Sequence, residues 1–136
     1  MTELNNAVDT MDIDAIAPEV IDGVRLLPIV HERVDLAPVV RVTLDQVRPV
    51  AVAVELPTTL ADAVSRAVDR LPRVSVVISE EPGEDALVWV VAPGDPIVEG
   101  LRWAADNDRP ALLVDPDVRY RGRHRDPVPD PYALWS

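Results

Sequence analysis

The sequence predicts an α/β domain: three layers, a mostly parallel sheet with one antiparallel hairpin, about five strands and three helices. Three observations carry this. Short apolar runs rich in Val, Leu and Ala recur between residues 24 and 115. Segments with helical spacing and their own stop signals separate most of them. One connection is too short for a parallel crossover.

Residues 24–30 (VRLLPIV) open the pattern, and 50–55 (VAVAVE), 74–79 (VSVVIS), 86–91 (ALVWVV) and 111–115 (ALLVD) repeat it. Runs that are apolar at successive positions fit strands buried on both faces, as in a sheet covered by helices on each side. After the first run, Asp35 can cap a helix through Val47, with Pro38 tolerated in the first turn and Arg48-Pro49 as the stop. Its apolar stripe is Leu36, Val39, Val40, Leu44 and Val47. Thr58 or Thr59 can cap a second helix through Arg70, striped by Leu60, Ala63, Val64, Ala67, Val68 and Leu71 and ended by Pro72. Asp95-Pro96 is a strong start signal, with Asp at the N-cap and Pro at the first helical position. Ile97, Val98, Leu101, Ala104 and Ala105 then point inward, to about Asn107. Residues 80–85 (EEPGED) are too few for a crossover, so the third and fourth runs pair as a hairpin with the reversed strand at an edge. Trp89, in the middle of the fourth run, is expected to pack against a helix layer.

The flanks differ from this centre. Residues 1–22 carry Glu3, Asp9, Asp12, Asp14, Glu19 and Asp22 and no basic side chain, and read as an acidic flexible arm. The α/β domain then spans 23–117. Residues 118–136 form a Pro/Arg-rich tail, with Arg119, Arg121, Arg123 and Arg125 reversing the local charge. The whole chain has 136 residues and a formal net charge of -11. Such a field disfavours nucleic acid and anionic membrane surfaces. No apolar run approaches the ~20 residues of a membrane-spanning helix, and the start lacks the pattern of a secretory signal, so a cytoplasmic setting is expected. Cysteine is absent, which removes disulfides, zinc-thiolate centres and thiol catalysis.

In an open α/β sheet, ligands bind beyond the carboxyl ends of the strands. His31 stands where the first run stops, a place for a catalytic group or for a histidine that only caps a carbonyl. Glu55 closes a run with no other polar side chain. A carboxylate there is costly unless it is paired or ligated. Asp95, Glu99 and Arg102 begin the third helix, and Asp115 and Asp117 leave the last strand. Histidine with carboxylates at neighbouring strand ends could hold a divalent metal or carry out general acid/base hydrolysis. The chain lacks the His-Glu-x-x-His, phosphate-loop, dinucleotide-binding and serine-elbow motifs.

Residues 31–57 (HERVDLAPVVRVTLDQVRPVAVAVELP) resemble the opening of the TraB, ChaN and erythromycin-esterase-like superfamily, in which a strand ending in His is followed by a helix and a strand ending in Glu. Residues 91–117 (VAPGDPIVEGLRWAADNDRPALLVDPD) and 127–134 (PVPDPYAL) resemble a large uncharacterised bacterial branch of that group. The Asp-Pro helix start with Glu99 and Arg102 and the Asp-Pro-Tyr-Ala element carry the likeness best. The resemblance implies a metal-dependent, hydrolase-like fold whose site is lined by His31 and Glu55. It also implies that the chain corresponds to the N-terminal part of longer relatives.

Two functional expectations follow. The first is a truncated or reduced hydrolase-like domain acting as a non-catalytic protein-interaction module. Its partner would be another protein or a second copy, engaged through the C-terminal tail with Tyr132, Leu134 and Trp135. The second is a metal-dependent hydrolase domain using His31 and Glu55.

Overall fold

A computed structural model describes Asp12, Ala15 and residues 20–80 and 86–116. The order of elements among them is β1 (Val20–Ile21), β2 (Val24–Arg25), α1 (Ala37–Val47), β3 (Val52–Pro57), a 3-10 turn (Thr58–Leu60), α2 (Ala61–Val68), β4 (Ser75–Ser79), β5 (Leu87–Val91), α3 (Pro96–Asp106) and β6 (Ala111–Asp115). This is a small α/β fold. No helix among the described residues is long and apolar enough to cross a membrane.

The strands associate as three pairs. β3 and β6 run parallel, with Val52 opposite Ala111 and Val54 opposite Leu113, and the register slips before Pro57 meets Asp115. β4 and β5 form the antiparallel hairpin expected from the short connection, with Val76 opposite Val90 and Ile78 opposite Val88. β1 and β2 are a separate two-residue hairpin. Its turn is Asp22-Gly23, both at positive φ, the backbone that a two-residue hairpin needs and that Asp-Gly supplies. The expected strand over 24–30 is therefore confined to Val24–Arg25. The rest of that run, interrupted by Pro28, is irregular.

α1 and α3 stop within a residue of where their sequences say, whereas α2 ends at Val68, short of Arg70, and neither Thr58 nor Thr59 caps it. Arg48, in the left-handed conformation, closes α1 by donating its N–H to the Leu44 carbonyl. Asp95 caps α3, its side chain accepting the Ile97 and Val98 N–H groups. The cap expected from Asp35 is not formed. Leu36 is the N-cap of α1 without a side-chain bond, because Arg33 takes both Asp35 oxygens at 2.9 and 2.8 Å. α1 accordingly buries Ala37, Val40 and Thr43, while Val47 is exposed. On α3, Ala105 is exposed and Trp103 is buried instead.

One core joins the β3–β6 and β4–β5 pairs to α2 and α3. It is built from Val52, Val54 and Leu56 of β3, Val77 of β4, Val91 of β5, the α2 residues Val64, Ala67 and Val68, and the α3 residues Val98, Leu101, Trp103 and Ala104. Trp89 is half-buried and packs against this cluster, as expected. The strand residues between the core positions are exposed: Ala53 and Glu55, Val76 and Ile78, Val88 and Val90, Leu112 and Val114. Among the described residues α2 and α3 cover one face of the strands, and α1 packs on α3.

Candidate functional site

Two places concentrate chemistry or contact surface: the contact between α1 and α3, and the outer face of the strands. Both follow from how the chain alternates.

α3 lies across α1 and brings acidic and basic side chains into one cluster. Glu99, 8% exposed, accepts from Arg41 at 3.3 Å and from Arg102 at 3.1 Å. Arg41 also reaches Asp106 at 3.3 Å and Asp45 at 3.6 Å. Asp45 in turn accepts the Trp103 indole N–H at 2.7 Å. Each buried or half-buried charge in this cluster has an opposite partner, the condition under which such charges are tolerated. The cluster is a clasp between two helices. Its carboxylates are paired with arginines, Glu99 buried and Asp45 and Asp106 open to solvent.

Asp95 is equally committed. Oδ1 accepts the Ile97 N–H at 2.9 Å and the Val98 N–H at 3.1 Å, and Oδ2 accepts the Glu32 N–H at 3.1 Å. The loop carrying His31 is thereby fastened to the N-terminus of α3. Glu32 adopts φ +62° there, a left-handed conformation that a non-glycine residue takes at a cost. His31 itself is exposed in a turn. Nearby, the two Arg33 hydrogen bonds hold the exposed Asp35 carboxyl below the usual carboxylate range.

Glu55 differs from its expectation. It is exposed, because β3 alternates strictly and places Val52, Val54 and Leu56 inward. The desolvation that would have demanded a partner is absent. Asp115 is half-buried and follows Leu113 on the covered side of β6, so Glu55 and Asp115 leave opposite faces of one parallel pair. No group of three or more His, Asp or Glu side chains among the described residues is arranged to hold a metal ion. Of the candidates, Asp95, Glu99 and Arg102 do gather on α3, in structural bonds. Asp117 and the C-terminal tail lie outside the described residues.

A groove of about 370 Å³ runs between α2, the end of α3 and β6. Val64, Val68, Leu101 and Leu113 form its apolar wall, and Asp62, Asp69 and Arg109 lie among its lining residues.

The feature that sequence reasoning missed is the outer face of the strands. Val76, Ile78, Val88, Val90, Leu112 and Val114 are each between 48% and 59% exposed. They form cross-strand neighbours, Val76 with Val90 and Ile78 with Val88, and Leu112 stands opposite Ala53. Nothing local distinguishes these positions from the inward ones, since both sets are apolar. No family model, curated protein or solved structure matches the chain.

Proposed function

We propose that this domain is a protein-interaction module whose contact surface is the outer face of the β4–β5 hairpin. One observation carries the reading: Val76, Ile78, Val88 and Val90, cross-strand neighbours on that face, are each about half exposed. Contiguous aliphatic side chains left in water in this way mark contact sites. The net charge of -11 disfavours nucleic acid and anionic membrane surfaces and so favours a protein as partner. The hydrolase reading has no comparable support: His31 is exposed in a turn and Glu55 is exposed on the outer side of β3.

Ile78→Asp combined with Val88→Asp tests this. The two residues are cross-strand neighbours on the open face. The double variant is expected to keep the native circular dichroism spectrum and to lose retention on a phenyl matrix. Unchanged retention would remove the face from consideration. A variant with the spectrum of an unfolded chain would place these side chains inside the protein's own core and overturn the reading.

A further inference from the structure

We infer that the groove between α2, α3 and β6 receives a segment of the same chain, residues 132–135 (YALW), brought back from the end of β6. This groove shares no residue with the outer face of the β4–β5 hairpin. Three observations select the occupant. The first is the groove itself. Val64, Val68, Leu101 and Leu113 form its apolar wall, and Ala61, Ala105 and Ala111 are exposed along it. Its volume of about 370 Å³ is at the small end of the ~300–1,000 Å³ of binding pockets. Such a space admits one or two bulky side chains, and neither a whole helix nor the face of a folded partner. Tyr132, Leu134 and Trp135 are side chains of that kind.

The second observation is reach. Ala111 and Leu113 of β6 line the groove, and the chain leaves that same strand at Asp115-Pro116. Residues 117–131 then connect Pro116 to Tyr132. A connection of that length spans ~20 Å as a coil and at most ~50 Å when extended. β6 is ~17 Å long and α2 ~12 Å, at their ordinary rises per residue. The tether thus matches the distance to be covered, which is where effective concentration is highest, in the millimolar range. A free partner would have to bind far more tightly to compete. The third observation is charge. Asp62 and Asp69 are exposed in the groove lining, with Arg109 the one basic side chain there. In a chain of 13 basic and 24 acidic side chains, residues 118–125 hold four arginines and no acid. These arginines belong to the connection that must pass α2. The outward residues Val76, Ile78, Val88 and Val90 of the hairpin offer the same segment an aliphatic surface without charge. The groove is therefore the better match.

The chain has no cysteine, so an introduced pair of thiols reports on itself alone. Ser65→Cys, in the groove lining, is combined with Ala133→Cys in the full chain and equilibrated in a glutathione buffer at low micromolar protein. The comparison chain carries Ile78→Cys with Ala133→Cys, which places the first thiol on the hairpin face instead. The expected product of the first pair is a disulfide within one chain. Its effective concentration should be at least about tenfold that of the second pair. Asp62→Lys with Asp69→Lys, or high salt, should narrow this preference about threefold, as screening and charge reversal require. Equal effective concentrations for the two pairs, or a higher value at Ile78, would overturn the inference. So would a disulfide-linked dimer as the main product, which would mean that the segment comes from a second copy. A preference for Ser65 that persists when Leu134→Ser and Trp135→Ser are added overturns it as well, because the apolar side chains would then not be what docks. A preference unmoved by charge reversal and salt would remove the pairing on which the choice of groove rests.

Discussion

The two faces of the same strands have nearly the same composition and opposite surroundings. On β5, Val91 is 0% exposed and Val90 is 48% exposed, with nothing but strand alternation separating them. On the inner side, helices α2 and α3 seal the aliphatic side chains into one cluster around Trp103. On the outer side, the same kinds of side chain stand in solvent. Hydrophobicity alone therefore does not say where a core is. The helices decide: α2 turns its apolar stripe to the strands, and α3 is packed between the strands and α1.

The largest expected difference between the faces is at the helix layer. Trp103 is 1% exposed and bonded to Asp45. Trp103→Ala should cost ~3–5 kcal/mol, as for buried aromatics. Denaturant titration checks this, and a loss near that of a surface substitution would mean that α3 is not the sealing layer. A finer comparison uses adjacent valines. Val91→Ala should cost about 2 kcal/mol through lost burial and a residual cavity, whereas Val90→Ala should stay within about 0.5 kcal/mol in dilute protein. If Val90→Ala instead costs more as protein concentration rises, the open face is buried by association, as linkage requires.

Asp95 tests how firmly the helix layer is anchored. Its carboxylate satisfies two N–H groups at the start of α3 and a third from the His31 loop. Asp95→Ala should cost ~1–2 kcal/mol, typical for loss of an N-cap. Hydrogen exchange should quicken at Ile97, Val98 and Glu32 together. Faster exchange at α3 alone would show that the loop is held by other contacts.

These residues also show what could be read from sequence. Asp95-Pro96 carries its own geometry in two adjacent residues, and α3 begins there as expected. The hairpin β4–β5 was legible because its connection is too short for anything else. The Asp22-Gly23 turn is equally local, but the two-residue strands it joins are too short to show as apolar runs of their own. The open face was not legible, because covering a face is decided by elements distant in sequence. Glu55 misled for the same reason. It closes an apolar run, and only the alternation of β3 shows that it leaves on the solvent side. Glu99 was singled out for chemistry, but its partners Arg41 and Arg102 are supplied in part by another helix. Pairing across α1 and α3 has no signature in either segment alone.

The smallest expected effect probes how closely the covered side is packed. Gly100 lies in the interior of α3, where glycine costs about 1 kcal/mol relative to alanine. A β-carbon built there would meet Val52 Cγ1 at 3.7 Å, Val40 Cγ1 at 3.8 Å and Val54 Cγ1 at 4.0 Å. These are ordinary contact distances, so the methyl group fits between α1 and β3 without displacing either. Gly100→Ala should therefore stabilise the fold by about 0.5–1 kcal/mol, from reduced chain entropy in the unfolded state and from the added burial. Thermal unfolding is the measurement, with a rise of a few degrees expected for a domain of this size. A fall would mean that α3 relies on glycine for a closer approach to the strands. In that case the helix layer would be fitted to its sheet to within a methyl group, and the contrast with the unfilled outer face would be larger than the exposures alone indicate.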